Sequence, residues 1–220
     1  MKKPRICVTI IESNLKAIQE IESEVDLFEI RLDLIGPDWS ELVRYIQKPW
    51  IACNRSPEEG GQGDPDTLKR VKELLWAANT GASIIDIEQR TPNLAEIVPA
   101  IKGRAQCLIS FHDTVGTPSY ERLIEIAEGQ MKAGADICKI VTTAHSLEDN
   151  LRVLKLIHRY PERRMVAFAM GEAGRISRVL SPLCGGDFTY ACISNGKESA
   201  AGQIPVRELK DLYGYMRNAG

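Results

Sequence analysis

Eight short apolar runs alternate with eight amphipathic ones along this chain, and that alternation restricts the fold more than any other feature. The apolar runs cover residues 6–11, 27–34, 50–54, 83–88, 106–111, 135–141, 165–170 and 188–193. The amphipathic runs cover 14–23, 39–47, 65–79, 92–101, 119–133, 147–159, 174–183 and 205–216. Several open on helix-start signals: Asp64 before Pro65, Thr91 before Pro92, Ser119 after Thr117-Pro118, and Ser146 with Asp149 three residues on. Gly81, Gly103 and Gly134 stand where helices have to stop. A regular strand–helix repeat predicts a parallel sheet. Eight repeats in 220 residues predict the α/β class and a single (β/α)8 TIM barrel over residues 1–220. The alternative is a doubly wound open sheet, but neither Gly-x-Gly-x-x-Gly nor Gly-x-x-x-x-Gly-Lys-Ser/Thr follows any strand.

Composition removes several function classes. A formal charge of −2 leaves no basic footprint for nucleic acid or an anionic membrane. No apolar run approaches the ~20 residues that span a bilayer. Only residues 6–11 separate the basic start from Glu12, too few for a secretory signal, so a cytoplasmic protein is expected. The six cysteines and three histidines lack metal-ligand spacing, and no metal is expected. Residues 194–204, rich in Gly, Ser and Ala, read as a lid or a surface loop. Leu212, Tyr213 and Tyr215 read as exposed apolar positions, which makes a homodimer one of two expected states beside the monomer.

In a barrel of this kind chemistry collects at the C-terminal ends of the strands, and here those ends are polar. Gly134-Ala135-Asp136-Ile137-Cys138-Lys139-Ile140-Val141-Thr142 is an apolar strand carrying one lysine. Burial of Lys139 disfavours its ammonium and predicts a lowered pKa, and a neutral amine in a pocket forms imines with ketones and aldehydes. Glu29, Arg31 and Asp33 recur at period two, so a barrel strand turns them inward together, where they have to pair or bind something polar. Arg55 could grip a hydroxyl or carboxylate, and Glu59 could reach back over the mouth. Asp86-Ile87-Glu88 again puts charge in an apolar run. His112, one strand from Lys139, suits general acid/base work. Met170 reads as pocket wall, and Arg178 as a clamp for a carboxylate.

These pieces, in order, resemble the type I 3-dehydroquinate dehydratases over nearly the whole chain. The matching segments are Glu29-Ile30-Arg31-Leu32-Asp33, Arg55-x-x-x-Glu59-Gly60-Gly61, Asp86-Ile87-Glu88, Ser110-Phe111-His112-Asp113, Lys139-Ile140, Met170-Gly171-Glu172 with Ile176-Ser177-Arg178, and Ser199-Ala200-Ala201-Gly202-Gln203-Ile204. Gln89, Phe111 and Cys138 depart from the pattern, which usually has an apolar residue, Asn or Tyr, and Pro there.

The resemblance implies a Schiff-base dehydratase of the shikimate pathway that needs no cofactor. Lys139 would form an imine with the C3 ketone of 3-dehydroquinate. His112 would take the C2 proton and return one to the departing C1 hydroxyl, with Glu59 and Asp86 orienting and tuning it. Arg178 would hold the substrate carboxylate, Ser199 and Gln203 would close from residues 194–204, and Glu29, Arg31 and Arg55 would hold ring hydroxyls and order the pocket. A lysine-dependent aldolase barrel and a non-catalytic barrel that binds a small polar acid are the rival readings.

Overall fold

The computed structural model describes residues 3–218. Eight strands form one parallel sheet: β1 (Ile6–Ile10), β2 (Leu27–Arg31), β3 (Trp50–Cys53), β4 (Ile84–Glu88), β5 (Gln106–His112), β6 (Ile137–Thr143), β7 (Met165–Met170) and β8 (Thr189–Ala191). Between and after them run α1 (Leu15–Ile21), α2 (Leu32–Ile35), α3 (Trp39–Leu42), α4 (Thr67–Asn79), α5 (Leu94–Lys102), α6 (Tyr120–Lys132), α7 (Leu147–Arg159), α8 (Arg175–Leu180) and α9 (Val206–Asn218). The strand order β7-β6-β5-β4-β3-β2-β1-β8 is the expected TIM barrel rather than a doubly wound sheet, because every neighbour follows the chain and β8 returns to β1. None of the described helices is long and apolar enough to cross a membrane.

The period-two pattern sorts side chains by face. Outward residues such as Ile30, Ile85, Ile109, Ile140 and Ala167 pack against the helices. Inward residues begin with an apolar floor of Cys7, Leu27, Ile51, Ile84, Leu108, Ile137, Val166 and Phe188. Two residues further along the same strands stand Thr9, Glu29, Cys53, Asp86, Ser110, Lys139, Phe168 and Tyr190. Polar groups therefore gather above a dry floor, towards the end where barrels carry their sites.

The ladder is open at one seam, since no β7–β8 pairing exists among the described residues. Side chains and loops close it instead. Asp187 N–H donates to the Met165 carbonyl (2.8 Å), the Phe168 and Phe188 rings each pack on Tyr190 (5.9 and 5.6 Å), and the Thr189 hydroxyl donates to the Arg178 carbonyl (2.7 Å).

Local chemistry moved several boundaries. The strand expected over 27–34 ends at Arg31, and Leu32 opens a helical turn that carries Asp33 off the sheet. The helix expected from Pro65 starts at Thr67 with Asp66 as its N-cap, because Asp64 turns back to accept from Asp66 N–H (2.8 Å). The run 39–47 is one α-turn followed by a 3-10 turn at Val43–Tyr45, stopped short of Pro49, whose ring bars helix at the residue before it. Ser146 and Asp149 form the expected capping box. Tyr213, read as exposed, is buried on the inner face of α9, and its hydroxyl donates to the Val179 carbonyl (2.9 Å), whereas Leu212 and Tyr215 face outward. The final strand is only Thr189–Ala191, since β1 is its sole ladder partner.

Phe188 plugs the floor where the ladder is missing. Phe188→Ala is expected to cost ~3–5 kcal/mol, the range for a buried Phe truncated next to a site that cannot collapse, and urea unfolding followed by circular dichroism reads that loss directly.

Candidate active site

Lys139 is the third residue of β6, in register with Ser110 on β5 and Val166 on β7, so its stem starts above the floor and its nitrogen rises inside the barrel. The residue is 3% exposed. Its nitrogen donates to Asp86 on β4 (2.8 Å) and to Glu29 on β2 (3.1 Å), and it lies 4.4 Å from the centre of the Tyr190 ring. Burial works to lower the lysine pKa, but the Asp86 and Glu29 carboxylates outweigh it and hold it above the ordinary value. The expected lowering is therefore corrected: in the free protein Lys139 is an ammonium. Asp86 gains in the same exchange. Burial would raise its pKa, but Arg55 (2.8 Å) and Lys139 lower it, so the carboxylate stays ionised.

His112 ends β5, and its Nδ1 meets the Glu59 carboxylate at 2.8 Å. Asp86, expected to orient the histidine beside Glu59, instead bonds Lys139, Arg55 and the Ser110 hydroxyl (2.6 Å). Burial, together with the positive charges of Arg55 and Lys139, holds the imidazole well below its ordinary pKa, so it is neutral. Burial pushes Glu59 up to about 7; Arg55 opposes this, while Glu88 and Asp86 add to it. The state of Glu59 decides the tautomer of the ring. An ionised Glu59 accepts Nδ1–H and leaves Nε2 with a free lone pair, whereas a protonated Glu59 donates to Nδ1 and leaves the hydrogen on Nε2.

Around these groups lies a cavity of about 310 Å³ lined by Glu29, Arg31, Arg55, Glu59, His112, Lys139, Met170, Arg178, Ser199 and Gln203. Of the residues expected at the site, only Asp86 lies behind its wall, beneath Lys139. Arg31 is tied to Asp33 by two bonds (2.8 and 2.6 Å), so the pair survives although Asp33 has left the strand. Arg178 comes from α8, buried, with its guanidinium 4.4 Å from the Phe168 ring centre. Its Nη2 donates to the Ala201 carbonyl (3.3 Å), and its Nε is buried without a partner. Burial alone drops its pKa to about 10. A buried guanidinium with donor capacity to spare is an anion-binding group.

Residues 194–204 fold across the mouth. Gln203 accepts from Ser199 N–H (2.8 Å) and donates to Thr9 (3.3 Å) and the Ser199 hydroxyl (3.0 Å), while Gly171 N–H donates to the Ala201 carbonyl (3.1 Å). Gly202 sits at φ +81°, and a Cβ there would meet the Gly171 carbonyl oxygen at 2.5 Å. The segment can lie this close only as glycine.

Sequence reasoning left out Tyr190, Phe168 and Arg70. The first two were readable, since each stands two residues beyond a floor position on its strand. Arg70 was not, because an arginine in an amphipathic helix carries no sign of facing inward. The three departures from the family pattern all point away from the cavity: Phe111 and Cys138 pack under the helices, and Gln89 donates to the Ile126 carbonyl (3.3 Å). Glu29, Cys53 and Asp86 bring metal-ligand atoms within 4.8 Å of one another, but the Lys139 ammonium and the Arg55 guanidinium are bonded into that same space.

A family model described as type I 3-dehydroquinase matches residues 6–219. A 3-dehydroquinate dehydratase of Dehalococcoides mccartyi is 38% identical over 213 residues, 97% of this chain and 96% of that protein. One from Methanocaldococcus jannaschii is 33% identical over 96% of this chain and 98% of its own length. Among solved structures, a type I 3-dehydroquinate dehydratase of Clostridium difficile with covalently modified comenic acid superposes with a TM-score of 0.87 at 26% identity, covering 100% of this chain and 95% of that one. The 3-dehydroquinate dehydratase of Geobacillus kaustophilus has the same fold, with a TM-score of 0.87 at 24% identity over 99% of this chain and 92% of that one.

The charge state of Lys139 is open to direct measurement. In the unliganded protein its side-chain NMR resonance is expected to titrate above the ~10.4 of a free lysine. Asp86→Asn, which removes the largest opposing charge, is expected to bring that midpoint down, and a native Lys139 titrating below the free value would mean that burial had won.

Proposed function

The chain belongs to the type I 3-dehydroquinase family, and its activity is that of a hydro-lyase, the dehydration of 3-dehydroquinate; from that premise we propose that the reaction runs through an imine on Lys139, as a syn elimination to 3-dehydroshikimate and the third step of the shikimate route. The observation that carries this reading is the buried Lys139 amine sharing a cavity with a neutral imidazole and a free-handed guanidinium.

An ammonium as the resting state fits this chemistry once its atoms are counted. An ammonium and a ketone yield a protonated imine and one water, so the positive charge on nitrogen is the same before and after. Asp86 and Glu29 stabilise both forms. The carboxylates slow the attack by keeping the free-amine fraction small, and they also hold the iminium that the elimination needs as its electron sink. Arg178 takes the substrate carboxylate, and Glu29, Arg31 and Arg55 take ring hydroxyls. Met170 forms wall, and Ser199 and Gln203 close the mouth.

His112 Nε2 then removes the C2 proton, and the electron pair moves into the iminium to give an enamine. The enamine pushes out the C1 hydroxyl, which leaves as water with the proton His112 returns. Water hydrolyses the conjugated iminium, releasing the enone and restoring the lysine. Two groups held against one ring can supply ~7–11 kcal/mol of such a barrier. The lysine is the electron sink, so the sequence of steps needs no cofactor.

The proposal is tested by incubating the protein with 3-dehydroquinate and following the absorbance of the conjugated enone. Borohydride with substrate present is expected to fix added mass on Lys139 in the native protein and none in Lys139→Ala, which should also be inactive; turnover by Lys139→Ala would end the imine reading. Because Nε2 is a free base only when Glu59 is ionised, proton removal is expected to weaken as pH falls through about 7 and to be fully developed above it. Arg178→Met should raise KM by roughly 10- to 100-fold, the ~1.5–3 kcal/mol of a hydrogen bond to a charged group, with a smaller effect on kcat.

A further inference from the structure

Glu88 ends β4 two residues beyond Asp86, is 7% exposed, and touches no reacting group. Its two oxygens serve different elements. Oε1 accepts from Ser56 N–H (2.8 Å) and from Arg55 Nη1 (3.3 Å). Oε2 accepts from Arg70 Nη2 (3.3 Å). Arg70 belongs to α4, outside the sheet, yet it too is buried, and its Nη1 is fixed by the carbonyls of Asp64 (2.6 Å) and Pro65 (3.3 Å). A helix side chain thus grips a strand carboxylate, and that carboxylate grips both Arg55 and the backbone at the start of the turn that presents Glu59.

We propose that Glu88 and Arg70 are a positioning pair: they hold Arg55 and the Ser56–Glu59 turn so that the Glu59 carboxylate meets His112 Nδ1. The proposal rests on the reading of His112 as the base. Neither residue lines the cavity, so each acts through Arg55 and Glu59.

The charges give this pair a signature that a packing role lacks. Glu59 faces His112 from β5, Arg55 on its own connection, Asp86 and Glu88 from β4, and Arg90 just beyond β4. Glu88 opposes ionisation of Glu59, and Arg70 neutralises Glu88. Glu88→Gln keeps the shape and removes the negative charge, so Glu59 should ionise more readily. Arg70→Met leaves Glu88 without its outer partner, so Glu59 should hold its proton to higher pH. The two substitutions therefore act in opposite directions.

The ring nitrogens of His112, followed by 15N NMR in the substrate-free protein, report which tautomer is present, and the dehydration rate against pH reports the same event in catalysis. Relative to the native protein, the midpoint is expected to move down by about one pH unit in Glu88→Gln, the scale for a nearby charge, and up by a smaller step in Arg70→Met, which acts through Glu88. The double variant is expected to resemble Glu88→Gln, because Arg70 acts through the Glu88 charge. Midpoints that stay put, or that move in the same direction in both single variants, would overturn the pair. If Arg70→Met does not fold, Glu88→Gln decides alone: a downward shift supports the pair and an unchanged midpoint refutes it. A native protein inert towards 3-dehydroquinate would refute the catalytic reading instead, and the NMR arm would still judge the pair.

Discussion

A positive nitrogen deep inside a barrel is the constraint that the rest of this structure answers to. Taking an ammonium out of water costs several kcal/mol even after the protein relaxes, and removing one partner of such an ion leaves the other uncompensated. Lys139 therefore cannot be buried on its own account. It is held by Asp86 and Glu29, and Asp86 is held in turn by Arg55 and the Ser110 hydroxyl. Arg55 extends the chain to Glu88, and Glu88 extends it to Arg70. Along this chain the cations Lys139, Arg55 and Arg70 face the anions Glu29, Asp86 and Glu88, and Glu59 is a further carboxyl that meets Arg55 at 3.5 Å, a cation it shares with Asp86 and Glu88. Burial is the largest cause of its pKa near 7, with Glu88 and Asp86 adding to it and Arg55 opposing. That carboxyl, raised towards neutrality, is the one in contact with the imidazole.

The site's rigidity comes from beneath it. The apolar floor excludes water from the lower barrel, which strengthens every ion pair above it. The same floor bridges the seam where β7 and β8 make no ladder, with Phe188, Tyr190 and Phe168 in contact. Tyr190 therefore has two roles. It seals the seam, and it presents its ring to the Lys139 ammonium, an arrangement worth roughly 2 kcal/mol or more when desolvated.

Above the charge network the cavity changes character. Among the described residues Arg178 has no carboxylate beside it; it stacks on Phe168 and donates to a backbone carbonyl of the segment that crosses the mouth. The lower cations are already matched and hold one another in place, while this one has donors to spare. On the proposed reading, a carboxylate-bearing ring entering the cavity would complete it, with its ketone towards Lys139. The polarity of the site, with a cation holding spare donors at the rim and a fully partnered one at depth, follows from which cations have partners.

Much of this was legible along the chain because a strand turns alternate residues to one face. Period two put Glu29, Arg31, Asp86, His112 and Lys139 inside once the βα repeat called for a barrel, and the order of the motifs pointed to the family. What depends on one residue and its near neighbours was readable: the strand–helix order, the capping box at Ser146 and the inward face of each strand. What depends on residues meeting across the barrel was not. Lys139 reads as a neutral amine until Asp86, 53 residues away, and Glu29, 110 away, arrive beside it and reverse the shift. Asp33 left its strand yet kept Arg31, Tyr213 turned inward, and Arg70 reached in from a helix that looks solvated. Which side chains enter the barrel was already set along the chain, since alternation is a local property of extended backbone. Which of them carry charge, and where the protons rest, came from folding, because that is set by the distances between groups brought together from separate strands.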